Sequence, residues 1–287
     1  MTSKTLFDTP GPRARRRHTV IEIICVAALA LGAYTVYQVL ESHGEFSAAA
    51  WKPFTQWGLW ALLGEGLANN LRAAAVGMAL SLLFGSLLAF GLLSRRKAIR
   101  VACRVFTDVF ASVPLLLLLY FTSLVLPSYG LKLSDFWFLV IALTLFSSAV
   151  VGDLLRSGIR AIPAGQTEAA HALGFSGVRT MQLVLLPQAL RSMSPALVSQ
   201  MVILFKGTAL AFVLGGYLEL LRSATVIGTY YSRSLLQAQI VAALGFMIVN
   251  IALGLLANAM ERRERRRNLA APAAPRAAEV TAELAPR

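Results

Sequence analysis

The sequence predicts an all-α, polytopic membrane protein with about six transmembrane helices. Hydrophobic residues make up 57% of its 287 residues and charged residues only 14%, whereas a soluble domain carries roughly a quarter charged residues. The mean hydropathy is +0.66. Apolar segments close to the ~20 residues that span a bilayer as a helix recur along the chain at 19–40, 61–93, 105–127, 136–155, 193–218 and 235–260.

The first apolar segment follows a basic tail, 1–18, and an external linker to residue 60 comes after it. We expect this segment to stay in the protein as a helix, because it is long and no small-residue cleavage site follows it. The main membrane domain is predicted at 61–260. Its first helix should begin at the membrane interface, because the polar side chains near its start are costly in lipid; these are Glu65, Asn69, Asn70 and Arg72.

The tail 261–287 is basic and rich in Ala and Pro, and it has no periodic apolar face. A segment of this composition cannot bury enough apolar surface to offset the entropy of folding. We therefore predict that this tail is disordered.

The charge distribution predicts the topology. Of the 27 Lys and Arg residues, 21 lie in four segments that a six-span topology places on one side, namely 1–18, 94–104, 156–191 and the C-terminal tail. The opposite loops hold only Lys52, Lys132, Arg222 and Arg233. Positive charge accumulates on the cytoplasmic side, so both termini and the 156–191 loop are predicted in the cytoplasm. The net charge of +13 follows this pattern and does not indicate nucleic-acid binding.

The cytoplasmic loop 156–191 has the signals of two short helices. Thr167 is expected to cap a helix whose first turn holds Glu168, where a negative charge is favourable. Gly174 tolerates the positive φ that ends such a helix, and Ser176 can cap the second helix. Pro187 is expected to bend the chain before the next span.

Two interpretations of this hairpin are possible, a solvent-facing connector and a docking element. Phe175 favours docking, because an aromatic side chain at an exposed tip suits an interface anchor. The candidate docking residues are Glu168, Ala169, Ala170, Gly174, Phe175 and Pro187.

The hairpin resembles a known motif. Glu168-Ala-Ala, a Gly six residues after the Glu and a Pro thirteen residues after that Gly are similar to the EAA loop of ATP-binding cassette (ABC) importer permeases. The run Leu155-Arg-Ser-Gly-Ile-Arg-Ala-Ile-Pro-Ala-Gly-Gln-Thr-Glu-Ala-Ala, and also Lys206-Gly-Thr-Ala-Leu, resemble the polar amino-acid permeases of the histidine/glutamine/glutamate type. The resemblance covers about 60–265. The N-terminal helix and the basic C-terminal extension look like those of actinobacterial glutamate-uptake permeases.

This resemblance implies a five-helix type I importer core with one extra N-terminal helix. It implies a loop that docks on partner ATP-hydrolysing subunits, a second permease subunit, homologous or identical, and an extracytoplasmic solute-binding protein. ATP and Mg²⁺ would bind the partner, so this chain needs no cofactor. Glutamate is the first candidate substrate; aspartate, glutamine and basic amino acids are the alternatives.

Lys206 interrupts an apolar run. A lysine at the centre of a membrane helix costs about 2.5–3.5 kcal/mol, so it should face protein or a water-filled cavity. It can pair with Asp153 or Asp108, or it can attract a substrate carboxylate. Candidate path residues are Lys206, Thr208, Gln200 and Asp153. At the outer end of the same region, Glu219 and Arg222 are expected to form a local pair.

Other classes of function find little support in the sequence. It lacks the G-x-x-x-x-G-K-[ST] phosphate loop, and its three histidines share no metal-ligand spacing. No Ser/His/Asp constellation falls in one compartment, so we predict that the chain is not an enzyme and holds no metal. A secondary transporter driven by an ion gradient would predict inverted repeats, and the sequence has no convincing repeat.

Overall fold

The computed structural model describes residues 11–270, which form helices and connecting turns and contain no β-strand. The all-α prediction is therefore confirmed for this part of the chain. The helices are α1 Pro12–Ser42, α2 Ala48–Trp51, α3 Trp57–Leu92, α4 Lys97–Ser112, α5 Leu115–Tyr120, α6 Leu126–Ser128, α7 Asp135–Arg160, α8 Ala164–Ala172, α9 Gly177–Thr180, α10 Leu186–Ser192, α11 Ser194–Thr208, α12 Leu220–Tyr230 and α13 Leu235–Ala270. Wider or tighter helical turns join several of them.

Within residues 11–270, five helical segments are long and apolar enough to cross a membrane, and a bent pair can provide a sixth crossing. The five are Arg15–Ser42, Trp57–Leu92, Asp135–Arg160, Ser194–Leu214 and Ser232–Arg263. The span predicted at 105–127 is broken, because α4 and the segment Leu115–Ser128 meet at 101°. Val113 has an extended backbone with ψ 128°, as expected for a residue before a proline, and Pro114 follows it.

The helices α3 and α7 pack side by side and run parallel. Gly77 lies against Leu143, and Gly85 lies so close to Val151 that a Cβ on Gly85 would come within 2.6 Å of the valine side chain. Since the numbers of the contacting residues rise together, both helices point the same way. The segment between them must therefore return the chain to the opposite end, so the bent pair counts as one crossing.

The helix α11 lies antiparallel to α7. Gly207 contacts Leu143 near the start of α7, and Met193 contacts Gly158 near its end. The end of α3, the α3–α4 connection and the α7–α11 connection therefore lie at one end of the bundle, which we call the hairpin end.

The opposite end of the bundle is closed by α12. Gly66 of α3 allows a close approach, because a Cβ there would lie 2.9 Å from Cα of Leu220. The Ser234 hydroxyl donates to the Ala50 carbonyl at 2.8 Å, which ties the linker after α1 to the start of α13. Leu59 and Ile227 belong to the apolar cluster beneath these contacts.

The two ends of the chain extend beyond this core. None of the apolar window of the first span, Arg15–Ser42, is buried against the rest of the chain. At the other terminus α13 continues to Ala270, so the first ten residues of the tail predicted to be disordered are helical. The remainder of that tail, 271–287, lies outside the described residues, as do residues 1–10 of the basic N-terminal segment.

Candidate functional site

The hairpin between α7 and α11 begins earlier than predicted. The residue before the first turn of α8 is Pro163, and the first turn contains no acidic residue. Glu168 therefore lies in the second turn, and Thr167 does not cap the helix. The predicted cap was wrong because Pro163 starts the helix first, with a φ of −55° that already suits helical geometry.

The end of α8 follows the prediction. Gly174 has φ +79°, the left-handed conformation that glycine adopts most readily. Its N–H donates to the His171 carbonyl at 2.9 Å, and the Phe175 N–H donates to the Ala170 carbonyl at 3.0 Å. These two bonds form a Schellman motif, which satisfies carbonyls that the helix end would otherwise leave unpaired.

The second arm of the hairpin starts as predicted and continues as a helix through Pro187. The Ser176 hydroxyl accepts the Arg179 N–H at 3.4 Å, which confirms the cap. Pro187 lies at the start of α10, directly after a π-helical turn at Met181–Leu185. The wider turn tolerates a proline, which has no N–H to donate, and the helix runs on. Met193 separates α10 from α11, and the bend expected at Pro187 stays a prediction.

The hairpin tip exposes two apolar side chains that are not among the predicted docking residues. Leu173 is 77% exposed and Val178 is 65% exposed. Phe175 is less exposed, because its side chain is half-buried. In a Schellman motif the residue after the glycine commonly packs back on the last turn, which explains the position of Phe175. The signal that could have found Leu173 and Val178 is their place on either side of the Gly174–Ser176 turn.

A groove of about 620 Å³ separates the hairpin from the end of α3. It is lined by Phe90, Leu93, Ser94 and Arg95 on one side and by His171, Ser176, Gly177, Val178 and Met181 on the other. The basic α3–α4 connection and the hairpin are therefore neighbours at the same end of the bundle. Glu168 and Ala169 are exposed at this end, and Ala170 is buried.

The four candidate path residues do not form one cluster. Gln200 is buried and its amide donates to the Ser147 hydroxyl at 3.5 Å. Thr208 is also buried, and its hydroxyl accepts from the Asn70 amide at 2.8 Å. Both residues therefore tie α11 to its neighbours. Of the four candidates, only Lys206 is exposed.

The predicted ion pair between Lys206 and an aspartate does not form. Asp153 lies 3.4 Å from Arg104 and 3.2 Å from Arg156, and Asp108 lies 3.6 Å from the same Arg104. Arg104 thus lies close to both acids and Arg156 to Asp153, and Lys206 has no carboxylate partner among the described residues. The expectation failed because Arg104 reaches both acids from α4.

The predicted pair between Glu219 and the Arg222 side chain is also replaced. The Glu219 carboxylate caps α12 and accepts the backbone N–H groups of Leu221, at 2.8 Å, and Arg222. This carboxyl lies outside the membrane spans, and burial raises its pKa. It takes part in closing the bundle at the end opposite the hairpin.

Two asparagines near the start of α3 complete that closure. The Asn69 amide donates to the Leu218 carbonyl at 2.8 Å, and the Asn70 carbonyl oxygen accepts the Leu220 N–H at 2.9 Å. Two of the four polar side chains that were expected at an interface, Asn69 and Asn70, thus bind Leu218 and the first residue of α12. Sequence alone cannot show this, since the bonded residues are 149 and 150 positions apart.

One known protein family matches most of the membrane domain. Residues 81–266 match the family described as binding-protein-dependent transport system inner membrane component. The chain belongs to this family. The match includes α4 to α12, the hairpin and most of α13, so the resemblance of the hairpin to an EAA loop is accompanied by a family match over most of the membrane domain.

Two relatives of this chain have names that describe amino-acid transport. It is 36% identical over 231 residues to the glutamate transport system permease protein GluD of Corynebacterium glutamicum, covering 79% of this chain and 84% of GluD. It is 34% identical over 210 residues to the probable glutamine ABC transporter permease protein GlnP of Bacillus subtilis, covering 71% of this chain and 94% of GlnP.

Solved structures agree with the fold. An amino acid ABC transporter crystallised with histidines has a chain that is 28% identical, with a TM-score of 0.65 over 73% of this permease and 97% of that chain. The MetNI methionine ABC transporter, at 17% identity and a TM-score of 0.55 over 71% of this permease and 99% of its chain, shares the fold. The protein is thus a multi-pass permease subunit of an amino-acid ABC importer and a transport component.

Proposed function

We propose that this permease imports glutamate across the bacterial cytoplasmic membrane, with both termini and the hairpin in the cytoplasm. Two ATP-binding subunits, a second permease and an extracytoplasmic solute-binding protein complete the transporter. The observation that carries the proposal is Lys206, an exposed cation within a membrane span that has no carboxylate partner among the described residues. The similarity to GluD supports glutamate as the substrate.

The position of Lys206 suits a carboxylate. It lies on the face of α11 that also exposes Ser199 and Ile203, and residues spaced three and four apart share one side of a helix. The opposite side of α11 is buried, for example at Leu204. Two opposite charges about 4 Å apart attract by about 4 kcal/mol at an effective dielectric constant of about 20. A substrate carboxylate therefore gains more from this cation than from any neutral side chain.

The hairpin suits the transmission of movement from the ATP-binding subunits. Glu168, Ala169 and Gly174 lie outside the bilayer in the proposed topology, and Leu173 and Val178 offer an apolar contact. The hairpin leaves α7 at Arg160 and enters α11 at Ser194. Because the first of these helices packs on α3 and the second holds Lys206, a displacement of the hairpin moves the substrate face directly.

Uptake by the reconstituted transporter tests this function. ATP-dependent glutamate uptake is expected from the complete complex, and Lys206→Met should raise the KM for glutamate at least tenfold at normal yield. Lys132→Met is the matched control, because that lysine is also exposed but lies in the α6–α7 connection; its KM should stay unchanged. Full glutamate uptake by Lys206→Met would contradict the role of this cation.

The similarity to GlnP makes glutamine the second candidate substrate. A side-chain carboxylate is absent from glutamine, so a preference of the wild-type transporter for glutamine over glutamate would replace the glutamate assignment. Uptake that follows an ion gradient and proceeds without ATP would refute the whole proposal.

A further inference from the structure

The start of α4 concentrates positive charge that no described acidic residue neutralises. Arg95, Arg96, Lys97 and Arg100 are all exposed, and none of them forms an ion pair with a described acidic residue. The Arg100 guanidinium donates to the Ser94 carbonyl at 3.0 Å, which holds it beside the turn. The first turn of α4 contains no acidic residue.

Within the chain this arrangement is electrostatically unfavourable. The N-terminus of a helix carries a partial positive charge, so cations there repel the helix dipole. The first N–H groups of a helix also lack partners inside it, and Arg96, at the cap position, contributes no side-chain acceptor. Four cationic side chains thus lie at or next to the first N–H groups of α4, where no described residue supplies an anion, and a phosphate group matches both kinds of group.

An apolar row continues directly from this charge cluster along α4. Lys97, Val101, Val105 and Val109 follow one another at four-residue spacing, so they lie on one side of the helix. The three valines are 49%, 56% and 48% exposed. The ligand that fits the whole surface has a negatively charged head at the cluster and a hydrocarbon chain along the valines.

We propose that the start of α4 binds an anionic glycerophospholipid of the cytoplasmic leaflet. Its phosphodiester contacts Arg96, Lys97 and Arg100, and one acyl chain lies along Val101, Val105 and Val109. Free phosphate matches the cations but leaves the valine row uncovered, which favours the lipid. The choice of leaflet rests on the topology of the proposed function; the charge and the apolar row do not depend on it.

The transporter, purified from its membrane with its accompanying subunits, is incubated with equal amounts of phosphatidylglycerol and phosphatidylcholine, and retained lipid is measured by native mass spectrometry. The wild type should retain phosphatidylglycerol preferentially. Arg96→Gln/Lys97→Gln/Arg100→Gln should lower its affinity roughly a hundredfold, since each surface cation contributes a factor of about five. Lys97→Gln alone should lower it about fivefold. The matched control, Lys52→Gln/Lys132→Gln/Arg233→Gln, removes the same charge from exposed positions elsewhere and should retain the lipid.

Three outcomes would overturn the lipid site: equal retention by the triple variant, equal loss in the control, or displacement of the lipid by inorganic phosphate. If equal retention by the triple variant is accompanied by the loss of a subunit, the cations are assigned to a protein contact. Glutamate uptake by the wild type is measured in parallel. Preferential lipid retention with no uptake would refute the proposed substrate and leave the lipid site standing.

Discussion

Replacing Gly174 with alanine or valine should uncouple ATP hydrolysis from transport. Its φ is +79°, and a Cβ there would meet no atom within 4 Å. The penalty is therefore conformational and not steric. A left-handed residue with a Cβ costs about 1–2 kcal/mol, and a β-branched side chain should cost more. Since about 1.4 kcal/mol corresponds to a tenfold change in an equilibrium, alanine should reduce the population of the intact hairpin turn at least several-fold.

The assay is substrate-stimulated ATP hydrolysis by the reconstituted complex, measured with the yield of inserted permease. Gly174→Ala should lower stimulation and Gly174→Val should abolish it, both at near-normal yield, because Gly174 lies at the exposed tip of the hairpin and takes no part in the apolar core. Gly165→Ala is the matched control: it also meets open space, but its φ is not positive, and alanine favours the helix interior there. Normal stimulation in Gly174→Val would refute the docking role of the hairpin.

Three further predictions concern the ends of the bundle. Reporter fusions at Arg265 and Ser128 should report opposite compartments; the same compartment would contradict the six-span topology. Gly66→Ala should lower the thermal midpoint, because its Cβ would overlap the α12 backbone, whereas Gly64→Ala, in open space, should not. Burial raises the pKa of Glu219 above its ordinary value of 4.5. The folded state therefore binds more protons at this residue than the unfolded state does. Its contribution to stability falls as the pH rises from about 4.5 through the raised pKa. Glu219→Gln should remove that part of the pH dependence of the thermal midpoint; an unchanged pH profile would contradict it.

The spans could be predicted to within several residues because a bilayer demands about 20 consecutive apolar residues, a local property of the sequence. The turn at Gly174 was predictable for the same reason, since its conformation depends on one residue. The contact between Asp153 and Arg104 was not, because Arg104 is 49 positions away on another helix. Glu168 shows an intermediate case: Pro163 and Thr167 both offer plausible helix starts, and only the fold decides between them.

The N-terminal helix α1 has a consequence for assembly. Since none of its apolar window is buried against the core, its insertion free energy comes from its own transfer into lipid and does not depend on the fold of α3 to α13. Its span of 28 residues exceeds the ~20 needed to cross a bilayer, and such helices tilt to match the hydrocarbon thickness. The core provides no surface that selects one tilt or rotation. The orientation of α1 is therefore decided only when neighbouring subunits and lipids pack against its sides.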